Sequence, residues 1–104
     1  GVDARFDDAL DLARFVHDEL ARTGRGVVIA NPIPQDDEIS EDDWKRWLAH
    51  AVASAKQAGS QGRDVTPSVL GELHRISEGQ TLRANISLIR SNVALAAKVR
   101  AAMP

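Results

Sequence analysis

The chain has 104 residues, enough for one small domain with a modest core. At 43% hydrophobic and 27% charged it is too apolar to be disordered, and a net charge of −2 leaves no electrostatic footprint for nucleic acid or an anionic membrane. Cysteine is absent, which excludes disulfides and thiolate metal sites, and no apolar run is long enough to span a bilayer.

The chain opens Gly1-Val2-Asp3, with no initiator Met and no signal-peptide pattern. That start is expected of a trimmed or excised piece, and the expected compartment is the cytoplasm. Residues 3–23 carry Phe6, Ala9, Leu10, Ala13, Val16, His17 and Leu20 at helical spacing. Asp3 or Asp7 is the expected amino-terminal cap, and Thr23-Gly24 closes the helix. Gly26-Val-Val-Ile-Ala-Asn31 follows, a continuous β-branched run ended by Pro32-Ile-Pro34. It predicts a strand at 26–31 of the kind buried on both faces of a sheet. No second convincing strand exists in the sequence. A lone strand would leave its backbone groups unpaired, so its ladder is expected from another chain or from sequence not present here.

Gln35 to Asp43 is acidic, and Ser40 with Asp43 resembles a capping box opening a helix to about Ala58. Trp44, Leu48, Ala51, Val52 and Ala55 form its inner stripe. Gly59-Ser-Gln-Gly62 breaks the pattern. Thr66-Pro67 then predicts a cap and first helical position, with Val69, Leu70, Leu73 and Ile76 facing inward. Glu78-Gly79 ends that helix, and Thr81 is the expected cap of a long last one. There Leu82, Ile86, Ile89, Val93 and Ala96 recur at four- and three-residue steps, one apolar face of a helix. Asn85, Leu88, Asn92, Leu95 and Val99 run along the adjoining flank. The two amides on that apolar flank need partners, from backbone, another helix or a ligand. About four helices and one strand are therefore predicted.

Side chains that carry chemistry are sparse. The acidic run lacks the alternating oxygen spacing of a calcium loop and reads as a solvated helix start. His17, His50 and His74 are scattered, with no ligand spacing to a second histidine or carboxylate. Gly24-Arg25-Gly26 precedes a strand and is no dinucleotide fingerprint. The Gly59–Pro67 loop with Arg63 is a place where an anion could sit, although turn chemistry explains each of its residues. Ser87 and Ser91 lie on the more exposed flank with no base nearby in sequence, and no nucleophile comes with an activating partner.

Three blocks carry a resemblance: Gly26-Val-Val-Ile-Ala-Asn-Pro-Ile-Pro34, Val65-Thr-Pro67 followed by Leu70, and Leu82-Arg-Ala-Asn-Ile-Ser-Leu-Ile-Arg-Ser-Asn-Val-Ala94. Together, in order and spacing, they resemble the carboxyl-terminal part of the pseudouridine-5′-phosphate glycosidases, also called the indigoidine synthase A-like family. The resemblance covers essentially the whole chain. It implies an α/β fold in which residues 1–104 form one carboxyl-terminal segment of a larger domain, a three-layer α/β/α architecture around a mixed sheet. It implies reversible cleavage of the C–C glycosidic bond of a phosphorylated nucleoside, pseudouridine 5′-phosphate, to uracil and ribose 5-phosphate. It also implies a homotrimer and a divalent metal, typically manganese.

The family mechanism opens the ribose through a lysine Schiff base with a glutamate as proton donor, an imine being what makes such a C–C bond breakable. Those residues and the acidic metal ligand fall in the earlier two-thirds of family members, so the resemblance gives this chain no catalytic residue and no metal ligand. Neither Glu41 nor Lys56 replaces them. What carries over is Asn85, the position matching the family's substrate-binding asparagine, with Asn92 and Thr66 as supporting or structural positions. Ser91-Asn92-Val93 stands where the family often has paired asparagines, and Leu20-Ala-Arg-Thr-Gly24 where a Trp-Gly ending is frequent. The resemblance therefore implies a segment that supplies one wall of the pocket and is inactive alone. The competing reading is a non-catalytic helical interaction module that pairs through its lone strand.

Overall fold

The computed structural model describes all residues, Gly1–Pro104, and contains helices only. The strand expected at 26–31, and with it the α/β class for this chain, is overturned. Gly26–Asn31 forms no ladder, and Val28 is 94% exposed. The physical reason is that a strand exists only through pairing, and no second segment here offers its backbone.

The chain divides into two compact units, Gly1–Pro32 with Ile89–Pro104, and Ile33–Leu88. The first holds helix α1, Ala9–Thr23. Its cap is Asp8, whose carboxylate accepts the Leu10 N–H, one residue beyond the expected Asp7. Phe6 packs on Phe15 with ring centroids 5.0 Å apart, fixing the entry to the helix. Gly24 takes φ 65° and donates its N–H to the Leu20 carbonyl, so the helix ends where its sequence predicts. Ala13, Val16 and Val99 are buried in this unit.

The second unit starts with a 3-10 turn at Gln35–Asp37 and helix α2, Glu41–Gln57. Ser40 caps α2 by accepting the Asp43 N–H; Asp43 turns its carboxylate to Arg46 and completes no reciprocal box. Helix α3, Val65–Ile76, packs against α2 and follows a 3-10 turn at Gly62–Asp64. Because that turn runs straight into the helix, Thr66 is already helical and exposed and does not cap it. Leu73 is 2% exposed, whereas Leu70, expected beside it, is 46% exposed. Ala51 and Ala55 are the buried residues of α2.

Helix α4, Gln80–Ala102, is continuous through both units. Glu78 and Gly79, with φ 53° and 83°, make the turn before it. Thr81 is already helical and does not cap it: Gly79 accepts the first intrahelical bond, from the Arg83 N–H, and the hydroxyl of Ser77, the residue that closes α3, accepts the Thr81 N–H. The buried or half-buried positions are Gln80, Thr81, Ala84, Ser87, Leu88, Ser91, Leu95, Val99 and Ala102. The row expected to be the apolar face, Leu82, Ile86, Ile89 and Val93, is 42–65% exposed. No helix is long and apolar enough to cross a membrane.

Candidate functional site

The two asparagines that the last helix places on one flank have different surroundings. In the first unit, Asn31 sits half-buried at the end of the Val27–Ala30 run. Its side-chain amide donates to Asn92 Oδ1 at 3.0 Å and to Ser91 Oγ at 3.1 Å. Both amide protons of Asn31 are thereby used, and Pro32 behind it limits the backbone. Asn31, fixed this way, holds the run to the second half of α4. Sequence reasoning named Asn31 only as part of a strand; its signal would have been a polar residue ahead of a proline with no turn to build.

Replacing Asn31 by alanine removes both donations and leaves Asn92 and Ser91 to water. The expected cost is about 1 kcal/mol. Urea denaturation followed by circular dichroism checks it, and Pro32→Ala in parallel separates the amide from the backbone restraint.

In the second unit, Asn85 is exposed and its side chain makes no hydrogen bond to protein. It is not the buried amide that the apolar flank suggested. A few residues on, the Ser87 hydroxyl donates to Asp37 Oδ2 at 2.6 Å, tying the 3-10 turn to α4. That serine–carboxylate pair joins positions too far apart to be read from sequence. Asp37 is exposed, Ser87 is half-buried and no histidine stands beside them, so the pair lacks what activates a serine.

The histidines separate likewise. His17 is exposed. His50 Nε2 lies 3.5 Å from a Glu72 carboxylate oxygen. Glu72 also pairs with Arg75, and that guanidinium, with His50 adding to it, holds the Glu72 carboxyl below the usual carboxylate range. Glu19 is lowered in the same way by Arg22. His74 Nδ1 is 2.8 Å from Thr81 Oγ1, inside a buried cluster with Ser77.

Thr66 makes no side-chain hydrogen bond, and the loop before it is closed by Ser60 donating to Ser68 Oγ at 3.0 Å. The residues present do not fit a divalent-metal site. No three His, Cys, Asp or Glu side chains converge, and the acids of the 36–43 run spread over a turn and a helix start. Chemically, then, these residues offer amides, hydroxyls and helix surface, and no nucleophile–base pair.

The sequence profile of the family described as indigoidine synthase A like protein matches residues 1–102. A pseudouridine-5′-phosphate glycosidase of Dinoroseobacter shibae is 38% identical over 104 residues, 98% of this chain and 34% of the relative. One from Geobacillus kaustophilus is 38% identical over 98 residues, 92% of this chain and 32% of its own length. Among solved structures, the prealnumycin C-glycosynthase AlnA in complex with ribulose 5-phosphate superimposes with a TM-score of 0.81 at 31% identity, covering 96% of this chain and 33% of that one. The chain spans about a third of the length of the curated relatives it matches.

Proposed function

The chain belongs to the indigoidine synthase A-like family, and from that premise we propose that it is the carboxyl-terminal portion of a pseudouridine-5′-phosphate glycosidase, supplying one wall of the substrate pocket. In this reading Asn85 is the residue that meets substrate. The observation that carries it is the contrast between the two amides. Asn92 is engaged by Asn31, while Asn85, at the position matching the family's substrate asparagine, keeps both its donors and its acceptor open. An amide so placed suits a ligand rich in hydroxyls and carbonyls, such as a sugar phosphate or a pyrimidine ring.

The reaction is cleavage of the C–C bond between uracil and ribose 5-phosphate. The Schiff-base lysine and proton-donating glutamate that the resemblance implies lie outside these residues, as does any manganese site. The proposal extends to a trimeric, cytoplasmic enzyme. By itself the 104-residue chain is expected to release no uracil.

A second reading shares the same bond. The C-glycosynthase relative is named for making a C-glycoside and was solved with a five-carbon sugar phosphate. The sugar-phosphate end is common to both readings, and the direction and the base differ.

The test is a full-length chimera in which this chain replaces the matching third of the Dinoroseobacter shibae relative. It is expected to release uracil from pseudouridine 5′-phosphate. Asn85→Ala is expected to lower kcat/KM about tenfold, the scale of one lost hydrogen bond that strands a polar partner. The same substitution in the 104-residue chain is expected to leave its melting temperature unchanged, because Asn85 bonds nothing there. A folded chimera indifferent to Asn85→Ala would remove that residue from the pocket.

A further inference from the structure

The amide clamp on α4 engages only one end of each asparagine it joins. Asn31, Ser91 and Asn92 all belong to the unit formed by Gly1–Pro32 and Ile89–Pro104. Asn31 Nδ2 donates to Asn92 Oδ1 at 3.0 Å and to Ser91 Oγ at 3.1 Å, which settles how each amide is turned. Asn31 directs its amino group at α4 and keeps Oδ1 as an acceptor. Asn92 directs its oxygen at Asn31 and keeps both N–H donors. Asn92 is exposed; Asn31 is half-buried, yet no side-chain oxygen or nitrogen is both buried and without a partner, so Asn31 Oδ1 is accessible. A tie alone needs less than this. One hydroxyl donating to α4 would hold the segment and would leave no carbonyl beside an amino group. The two donations and the following Pro32 also fix the Asn31 amide in advance, which lowers the ordering cost of any bond it makes.

We propose that Asn31 and Asn92 are a specificity pair for the base of the substrate: Asn31 Oδ1 accepts a ring N–H, and Asn92 Nδ2 donates to the carbonyl next to it. Uracil is made of such edges, since each of its ring N–H groups has a carbonyl beside it. Donor and acceptor in fixed order are how an amide reads the edge of a base, as asparagine does with adenine. A sugar hydroxyl differs, because it rotates to donate or accept and so draws no discrimination from a pair of fixed polarity. The identity of the base rests on the glycosidase reading; the polarity of the pair does not.

The experiment uses the full-length chimera, run towards synthesis from uracil and ribose 5-phosphate. Asn92→Asp keeps an oxygen to accept the Asn31 proton and loses both donors, so it separates reading from tying. It is expected to raise KM for uracil about tenfold, the scale of one hydrogen bond, and KM for ribose 5-phosphate by less than about twofold. Asn92→Ala, which introduces no charge, is expected to give the same split. In the 104-residue chain Asn92→Asp is expected to melt as the parent does, because the clamp survives. Equilibrium dialysis of labelled uracil requires no turnover and is expected to show the same loss of affinity in the Asn92→Asp chimera. A KM rise shared equally by the two substrates overturns the proposal, and so does uracil affinity that neither substitution changes. A chimera that binds uracil through Asn92 and neither makes nor cleaves the C–C bond fails the glycosidase reading alone. An active chimera indifferent to both substitutions fails this proposal alone.

Discussion

Leu73→Ala is expected to cost the Ile33–Leu88 unit about 2–5 kcal/mol, the range for truncating a buried leucine. Leu73 is 2% exposed and is the one large side chain that is fully buried. The other buried residues of the unit are small: Ala51 and Ala55 on α2, and Ala84, Ser77 and Thr81 around the start of α4. Alanines let helices approach closely but contribute little area each, so the apolar volume of this core depends on the leucine. Domains of this size have only some 5–15 kcal/mol to lose, which makes the substitution a large fraction of the total. Trp44 and Trp47 both lie on α2, so their fluorescence during urea denaturation reports this unit directly. Leu70→Ala, one turn earlier on α3, is the control. Leu70 is 46% exposed, and its loss is expected to stay within about 0.5 kcal/mol. Equal effects at 70 and 73 would mean that α3 is rotated from the orientation described.

That comparison shows how far the sequence could be read. Helix existence was legible because periodicity and punctuation agree at α1: the apolar spacing runs to Leu20, and Gly24 supplies the left-handed residue that ends it. Ser40 was legible for the same local reason. What periodicity does not reveal is which of two apolar rows a helix buries. Leu70 and Leu73 are equally hydrophobic, and so are Leu82 and Leu88. The choice is made by what packs against the helix, and in α4 the more hydrophobic row is the exposed one.

The strand at 26–31 failed on the same ground. Val27, Val28 and Ile29 have the right composition, but pairing is a property of two segments and composition belongs to one. For the candidate site, a motif match singled out Asn85 and Asn92, whereas the Asn31 clamp and the Ser87–Asp37 pair come from tertiary placement alone. The helix starts at Thr66 and Thr81 were misread because each lies next to a stronger device. A 3-10 turn leads into α3, and Ser77 takes the Thr81 N–H from four residues back.

Thr81→Val is expected to destabilise the same unit by about 1–3 kcal/mol, although it keeps the shape and β-branching of the side chain. Thr81 is 7% exposed, and its hydroxyl is the middle of a chain of three. Ser77 Oγ lies 3.1 Å away and His74 Nδ1 2.8 Å away, while Ser77 Oγ also accepts the Thr81 N–H. With Nδ1 as acceptor, Ser77 donates to Thr81 and Thr81 donates to His74; with Nδ1 protonated, every donation in the chain reverses. Valine serves neither arrangement, leaving the Ser77 proton and His74 Nδ1 without protein partners in a space too covered for free hydration. Ser77→Ala removes that hydroxyl bond together with the acceptor of the Thr81 N–H, and is expected to cost about 1–3 kcal/mol. Because both substitutions act on one network, the double variant is expected to lose less than the sum of the two. Urea denaturation gives the energies, and imidazole nitrogen shifts of His74 report whether the ring loses its partner in Thr81→Val. A neutral Thr81→Val with unchanged His74 shifts would mean that water already serves these groups and that the turn at Glu78-Gly79 is held by Ser77 alone.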